Sequence, residues 1–225
     1  MNRTYKAAVF DMDGTLIDSL ADLAASANEV MRSFNFLEHT LEEYRNFVGN
    51  GARKLMERSL PAKERENTAL IDEATARYIK CYLNGHLLDK TKPYDGILEM
   101  LDTLKSRGVK LAICTNKPHD AAVKVAEKLF PPNTFSAIVG DKKGLKRKPD
   151  PTNLLKIIAD FGVTPAETAY FGDSGTDMKT AVNAEVLPVG VAWGFRPQKE
   201  LWETGAKTVL VHPNELLNKV EFVEQ

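Results

Sequence analysis

Two cysteines in 225 residues, Cys81 and Cys114, are too few for a disulfide framework and do not sit at the spacing of a thiolate metal site. Reduced thiols and a cytoplasmic setting are the expectation. No apolar run approaches the ~18 residues that a bilayer span needs. The opening Met1-Asn2-Arg3-Thr4-Tyr5-Lys6 lacks the apolar core of a secretion signal. Neither sign of charge dominates: 30 Lys and Arg face 31 Asp and Glu, for a formal charge of −1. Nucleic acid and anionic membrane are therefore not expected partners. The four histidines, His39, His86, His119 and His212, are scattered without ligand spacing, and the sequence carries no repeat or low-complexity tract. What it does have is 43% hydrophobic residues, enough for one large domain or two unequal ones. No exposed interface stripe stands out, so a monomer or a homodimer is expected.

From about Asp95 onward, helical and extended patterns alternate. Ile97, Leu98, Leu101 and Leu104 recur at helical spacing, and Gly108 closes that helix. Strands are predicted over 7–10, 109–114, 135–139, 168–171, 187–192 and 208–211. Helices are predicted around Ala121, Val125 and Leu129, and over 151–161 and 177–184. Such alternation builds a Rossmann-like α/β fold, a parallel sheet with helices on both faces. Residues 19–92 break the pattern and contain no convincing strand. Leu20, Leu23, Ala27, Val30, Met31 and Phe34 form one helical stripe. Thr40-Leu41-Glu42-Glu43 has the form of a capping box. Further helices are expected over 52–60 and 63–83. The division is thus a core of residues 1–18 and 93–225 with an all-helical insert of residues 19–92, hinged near Asp18 and Lys92-Pro93.

Four polar constellations follow the predicted strands. Val9-Phe10-Asp11-Met12-Asp13-Gly14-Thr15 places two carboxylates two residues apart at a strand's end. There the side chains share a face, and open α/β sheets bind ligands at that end. Thr115-Asn116 offers a hydroxyl and backbone N–H groups to an anion. Lys148-Pro149-Asp150-Pro151 restrains one lysine of the basic run 142–148 by the proline after it; the rest of that run is expected to be a solvated loop. Gly172-Asp173-Ser174-Gly175-Thr176-Asp177 adds two more acids. Asp11, Asp13, Asp173 and Asp177 together bring four negative charges against one from Lys148. Like charges ~4 Å apart cost ~4 kcal/mol at an effective dielectric of ~20. A cation is therefore expected, and oxygen-only ligands favour Mg²⁺ over zinc.

The run Asp11-x-Asp13-Gly14-Thr15-Leu16-x-Asp18-Ser19 resembles the first motif of the haloacid dehalogenase-like superfamily, in its phosphatase branch. The other three constellations stand in the order of that superfamily's remaining motifs, so the resemblance covers nearly the whole chain. It implies a helical cap inserted after the first strand. It makes Asp11 the nucleophile that takes the phosphoryl group, and Asp13 the acid for the leaving alkoxide and then the base for water. Gly14, Thr15, Thr115 and Asn116 would hold phosphate oxygens, and Lys148 would neutralise Asp11 and the phosphate. Asp11, the Asp13 carbonyl and Asp173 would bind Mg²⁺, with Asp177 an outer ligand or orienter. Val48-Gly49-Asn50-Gly51-Ala52-Arg53-Lys54-Leu55-Met56 resembles the cap loop of phosphoglycolate phosphatases. Gly51 would lie over the pocket and Arg53 would meet a second anionic group on the substrate. The implied activity is hydrolysis of a small acidic phosphate ester. A sugar phosphomutase, a pyrophosphatase, a nucleotide phosphatase or a non-catalytic binder of phosphorylated ligands would carry the same motifs.

Overall fold

A computed structural model describes residues 4–223; residues 1–3 and 224–225, which belong to the expected core span, lie outside the described residues. The strands are β1 (Ala7–Phe10), β2 (Ile17–Asp18), β3 (Lys92–Pro93), β4 (Lys110–Pro118), β5 (Ala137–Asp141), β6 (Thr168–Gly172), β7 (Leu187–Val191) and β8 (Thr208–Leu210). Six of them form one sheet in the order β5-β4-β1-β6-β7-β8, with every neighbouring pair parallel.

The near-continuous apolar strands need cover on both faces, and they have it. Alternate residues part to opposite sides. Ala8 and Phe10 join Leu111, Ile113 and Phe171 in a cluster covered by α5 (Ile97–Ser106) and α6 (His119–Leu129). Ala7 and Val9 join Ala112, Cys114 and Tyr170 under α7 (Thr152–Phe161) and α8 (Gly175–Asn183). The predicted α/β class is therefore the observed one. Two strands sit later than their apolar runs. Pairing with β5 shifts register between Cys114 and Pro118, an irregularity that keeps β4 extended beyond residue 114. The pairing that would have started at 135 starts at Ala137.

α1 (Leu20–Ser33), α2 (Leu41–Phe47), α3 (Ala52–Ser59) and α4 (Thr68–Cys81) bury a cluster of their own, with Leu23, Met31, Tyr44, Leu55, Met56 and Tyr78 at its centre. Thr40 and Glu43 close the expected capping box. The fourth helix starts at Thr68 rather than 63 because the Asn67 side chain accepts from the Leu70 N–H there. After Cys81 the chain makes one π-helical turn, Tyr82–His86. The two crossings into this region are β2 and β3, which pair antiparallel where no strand was predicted. Buried Asp22 ties them further, accepting from the Lys90 and Thr91 N–H groups and the Thr91 hydroxyl. Ala121 and Phe195 of the α/β part complete the helical cluster, so the helices lie against the sheet. Among the described residues no helix is long and apolar enough to cross a membrane.

Candidate active site

The strand order turns at β1, with β4 on one side and β6 on the other. Ligands bind outside the carboxyl ends of strands at such a point. A cavity of about 40 Å³ lies there. Asp11, Asp13, Thr115, Asn116 and Lys117 line it from below, and Gly49, Gly51, Leu55, Tyr78 and Tyr82 line it from the helices.

Asp11 follows β1, Asp173 follows β6, and Asp177 sits in the first turn of α8. All three are buried, and their carboxylate oxygens lie within 4.8 Å of one another. Lys148, reached through a cis peptide to Pro149, stands 2.9 Å from Asp11 Oδ1 and 2.6 Å from Asp177 Oδ1. Burial, outweighing Lys148, pushes the Asp11 carboxyl up to about 6. Burial, then the charges of Asp177 and Asp11, push Asp173 well above the carboxylate range. Burial alone would lower Lys148, but Asp11 and Asp177 together hold its ammonium above its ordinary value. One lysine thus leaves the three acids undercompensated.

The residues present fit a hard divalent cation. Buried Asp11 Oδ1 has no aligned hydrogen-bond donor, since Lys148 approaches it as an ion pair. Asp173 uses Oδ2 on the Phe195 N–H at 2.8 Å and Oδ1 on the Thr15 hydroxyl at 3.2 Å; each oxygen keeps a second acceptor site. An all-oxygen set with two buried, proton-hungry carboxylates is the donor chemistry of Mg²⁺.

Gly14, Thr15 and Arg53 lie away from their expected contacts, whereas Asp177 stands where an orienter of Lys148 would. Gly14 and Thr15 do not line the cavity. The chain coils back after Met12, whose carbonyl accepts from the Thr15, Leu16 and Ile17 N–H groups, and this carries both residues onto Asp173. Gly14 has φ +83°, and a Cβ there would lie 2.3 Å from Asp173 Oδ2, so only glycine admits that carboxylate. Asp177 stands at ligand distance, but both its oxygens are engaged: Oδ1 with Lys148, Oδ2 with the Ser174 N–H and hydroxyl. Arg53 points away from the cavity and pairs with exposed Asp72 at 3.0 Å, because its place on α3 faces α4. Asp13 is not part of the uncompensated cluster. Its Oδ1 accepts from the Ser19 hydroxyl at 2.6 Å and from Lys117 Nζ at 2.8 Å.

Thr115 and Asn116 are buried in the extended end of β4, ahead of α6 and not capping it. Thr115 lines the cavity floor. The Asn116 side chain ties two loops to the end of β4: Nδ2 reaches the carbonyls of Gly49 and Lys148 at 3.3 Å, and Oδ1 accepts from the Lys148 N–H at 2.9 Å. Gly49 and Gly51, with φ +100° and +86°, let the loop between α2 and α3 line the cavity opposite this floor. In the basic run, Arg147 pairs with Asp141 and Lys146 with Asp150.

Lys117, Tyr82 and the 193–195 segment escaped the sequence reading. Lys117 is buried, and donates to the Tyr82 hydroxyl at 2.6 Å as well as to Asp13. Its signal was available, as a lysine directly after Thr115-Asn116 on a strand end. Tyr82 had none, being one aromatic in an apolar helical stripe. Trp193 and Phe195 also hold the site: Trp193 Nε1 donates to the Thr15 carbonyl at 2.9 Å, and the Phe195 N–H supports Asp173. Elsewhere Glu29, Cys81 and His86 approach one another on the helices, but both His86 nitrogens are taken up by Asp89 and Glu29.

Residues 8–191 match the family model described as haloacid dehalogenase-like hydrolase. The phosphoglycolate phosphatase of Agrobacterium fabrum is 36% identical over 189 residues, 84% of this chain and 81% of its own. Phosphoglycolate phosphatase 1 of Pseudomonas aeruginosa is 31% identical over 219 residues, 96% of this chain and 79% of its own. A crystal structure from Lactobacillus delbrueckii subsp. bulgaricus, provisionally named a phosphoglycolate phosphatase, superimposes with a TM-score of 0.88 at 30% identity. It covers 97% of this chain and 99% of that one.

Proposed function

This chain belongs to the haloacid dehalogenase-like hydrolase family, and on that premise we propose that it is a Mg²⁺-dependent phosphomonoesterase acting on a small acidic ester of the 2-phosphoglycolate type. The observation that carries the reading is the pairing of each cavity acid with its own lysine: Asp11 with Lys148 at 2.9 Å and Asp13 with Lys117 at 2.8 Å. Two adjacent carboxylates are thereby given different surroundings, which is how one site separates a nucleophile from an acid.

In this mechanism Asp11 attacks phosphorus and forms an aspartyl-phosphate, while Asp13 hands its proton to the departing alkoxide. Asp13 then removes a proton from the water that attacks the phospho-aspartate. Thr115 and the Asn116 backbone hold equatorial oxygens, and Lys148, steadied by Asp177, opposes the charge that spreads over them. Asp11, the Asp13 carbonyl and Asp173 would hold Mg²⁺, which supplies charge neutralisation at the phosphoryl group when bound. Helices α1–α4, residues 19–92, act as the cap that excludes water. The phosphoglycolate phosphatase names of the relatives support the substrate class, and the unpaired Cys81 and Cys114 accord with a cytoplasmic setting.

The test is turnover of 2-phosphoglycolate and a phosphoester panel with Mg²⁺ and with EDTA, together with acid-quench trapping of phospho-enzyme. Wild type should turn over in Mg²⁺ and stop in EDTA. Asp11→Asn should lose at least a thousandfold in kcat and trap no phospho-enzyme. Near-normal turnover by Asp11→Asn rules out the nucleophile.

A further inference from the structure

We propose that the Lys117 ammonium and the Tyr82 hydroxyl together form a subsite for a carboxylate carried on the carbon next to the ester oxygen. This inference rests on the reading of Asp13 as the group that meets the leaving oxygen.

Lys117 is the one lysine or arginine among the residues lining the cavity, and its side chain is 1% exposed. An ammonium has three N–H donors. One goes to Asp13 Oδ1 at 2.8 Å and one to the Tyr82 hydroxyl at 2.6 Å. The third has no partner among the described hydrogen bonds. Tyr82 accepts from Lys117, so its own O–H proton is also unspent, and Tyr82 lines the same cavity. Two unspent donors on adjacent groups present the fork that a carboxylate fills. The phosphate does not need this lysine, because Lys148 already serves Asp11 at 2.9 Å.

Distance then sets the length of the substrate. Asp13 must touch the ester oxygen, and Lys117 Nζ lies 2.8 Å from Asp13 Oδ1. With the ester oxygen at Asp13, a carboxylate on the adjacent carbon falls beside Lys117, and each carbon added between the two, as in 3-phosphoglycerate, moves it away. The cavity of about 40 Å³, walled on the helical side by Leu23, Val48 and Leu55, also favours a short ligand. An apolar wall cannot pair a second anion, so the discrimination falls to Lys117 and Tyr82. Tyr82 comes from the helical part and Lys117 from the sheet, so a bound carboxylate also bridges the two.

The experiment compares the Mg²⁺-loaded wild type, Lys117→Met and Tyr82→Phe on 2-phosphoglycolate, 3-phosphoglycerate and p-nitrophenyl phosphate. Tyr82→Phe keeps the ring stacked on Tyr78 at 6.0 Å, which guards against a folding defect in the lysine variant. Wild type should prefer 2-phosphoglycolate. Both variants should lose at least tenfold more kcat/KM on 2-phosphoglycolate than on p-nitrophenyl phosphate, chiefly through KM. Equal losses on the two esters, confined to kcat, would make Lys117 a positioning residue for Asp13 and overturn the subsite. Wild-type turnover of p-nitrophenyl phosphate without preference for 2-phosphoglycolate also overturns it and leaves the phosphatase reading intact. Turnover of neither overturns both.

Discussion

Asp177 accepts Lys148 Nζ on one carboxylate oxygen at 2.6 Å and the Ser174 hydroxyl on the other at 2.5 Å. The second contact, with the Ser174 N–H, closes the capping box that starts α8. The Tyr170 hydroxyl also accepts from Lys148 Nζ at 3.0 Å and donates to the Cys114 carbonyl at 2.8 Å. A helix start, two strand ends and one buried lysine are thus locked into a single hydrogen-bonded unit.

Asp177→Asn should therefore act through Lys148. Removing the charge releases the ammonium without changing the shape of the side chain, so kcat should fall about 10–100-fold, the usual scale for a lost supporting group. The Mg²⁺ dependence of activity should move much less than in Asp173→Asn, whose carboxylate has acceptor sites to spare. Metal titrations of the two variants distinguish the cases. Equal weakening of Mg²⁺ in both would make Asp177 a direct ligand.

Arg53→Ala should change kcat/KM on 2-phosphoglycolate and on p-nitrophenyl phosphate by less than about twofold. Its guanidinium is spent on Asp72, in an exposed pair of the kind that contributes at most ~1 kcal/mol. Steady-state kinetics on the two esters check this. A selective rise in KM for 2-phosphoglycolate would return Arg53 to the substrate and require the α3–α4 contact to open on binding.

Arg53 marks where legibility in the sequence ended. The sheet and its two helical layers were readable because burial on both faces writes continuous apolar strands, and Ala7–Phe10 is one of these. The acids were readable because Asp11 and Asp173 each end such a strand. Side-chain direction on a helix was not readable, since Arg53 and Gly51 are two residues apart and face different partners. The split of the acids into Asp11–Lys148 and Asp13–Lys117 joins residues 137 and 104 positions apart in the chain (148 − 11 and 117 − 13). Only the tertiary placement of the end of β1 beside β4 and the loop after β5 brings those together, and a local pattern carries no such information. β2 and β3 were invisible for the same reason, as two residues each leave no period to detect.

The buried acids make a statement about stability as well as chemistry. Asp11 titrates near 6 in the folded, metal-free protein, against 3.8 ordinarily, chiefly because burial disfavours its charge. Between pH ~4 and ~6 the folded state keeps a proton that the unfolded chain has released, so this group stabilises below that window and loses its contribution as pH rises through it. The slope approaches ~1.4 kcal/mol per pH unit where the difference is a full proton, and Asp173 acts in the same sense. Glu43, held near 2 by its hydrogen bonds to Thr40 and His39, and Glu167, held near 2 by Lys6 and then by Thr164, act oppositely, but their contribution levels off just above pH 4.5, in the lower part of this window, and is common to wild type and variant. Urea unfolding in EDTA from pH 4.5 to 7.5 should thus show Asp11→Asn gaining on the wild type as pH rises. Adding Mg²⁺ should favour the wild type at the upper end, because the ion takes the place of the proton on Asp11 and Asp173. If wild type and variant instead run parallel across the window in EDTA, Asp11 is already ionised there, Lys148 alone suffices to hold it, and the charge argument for a cation loses its principal support.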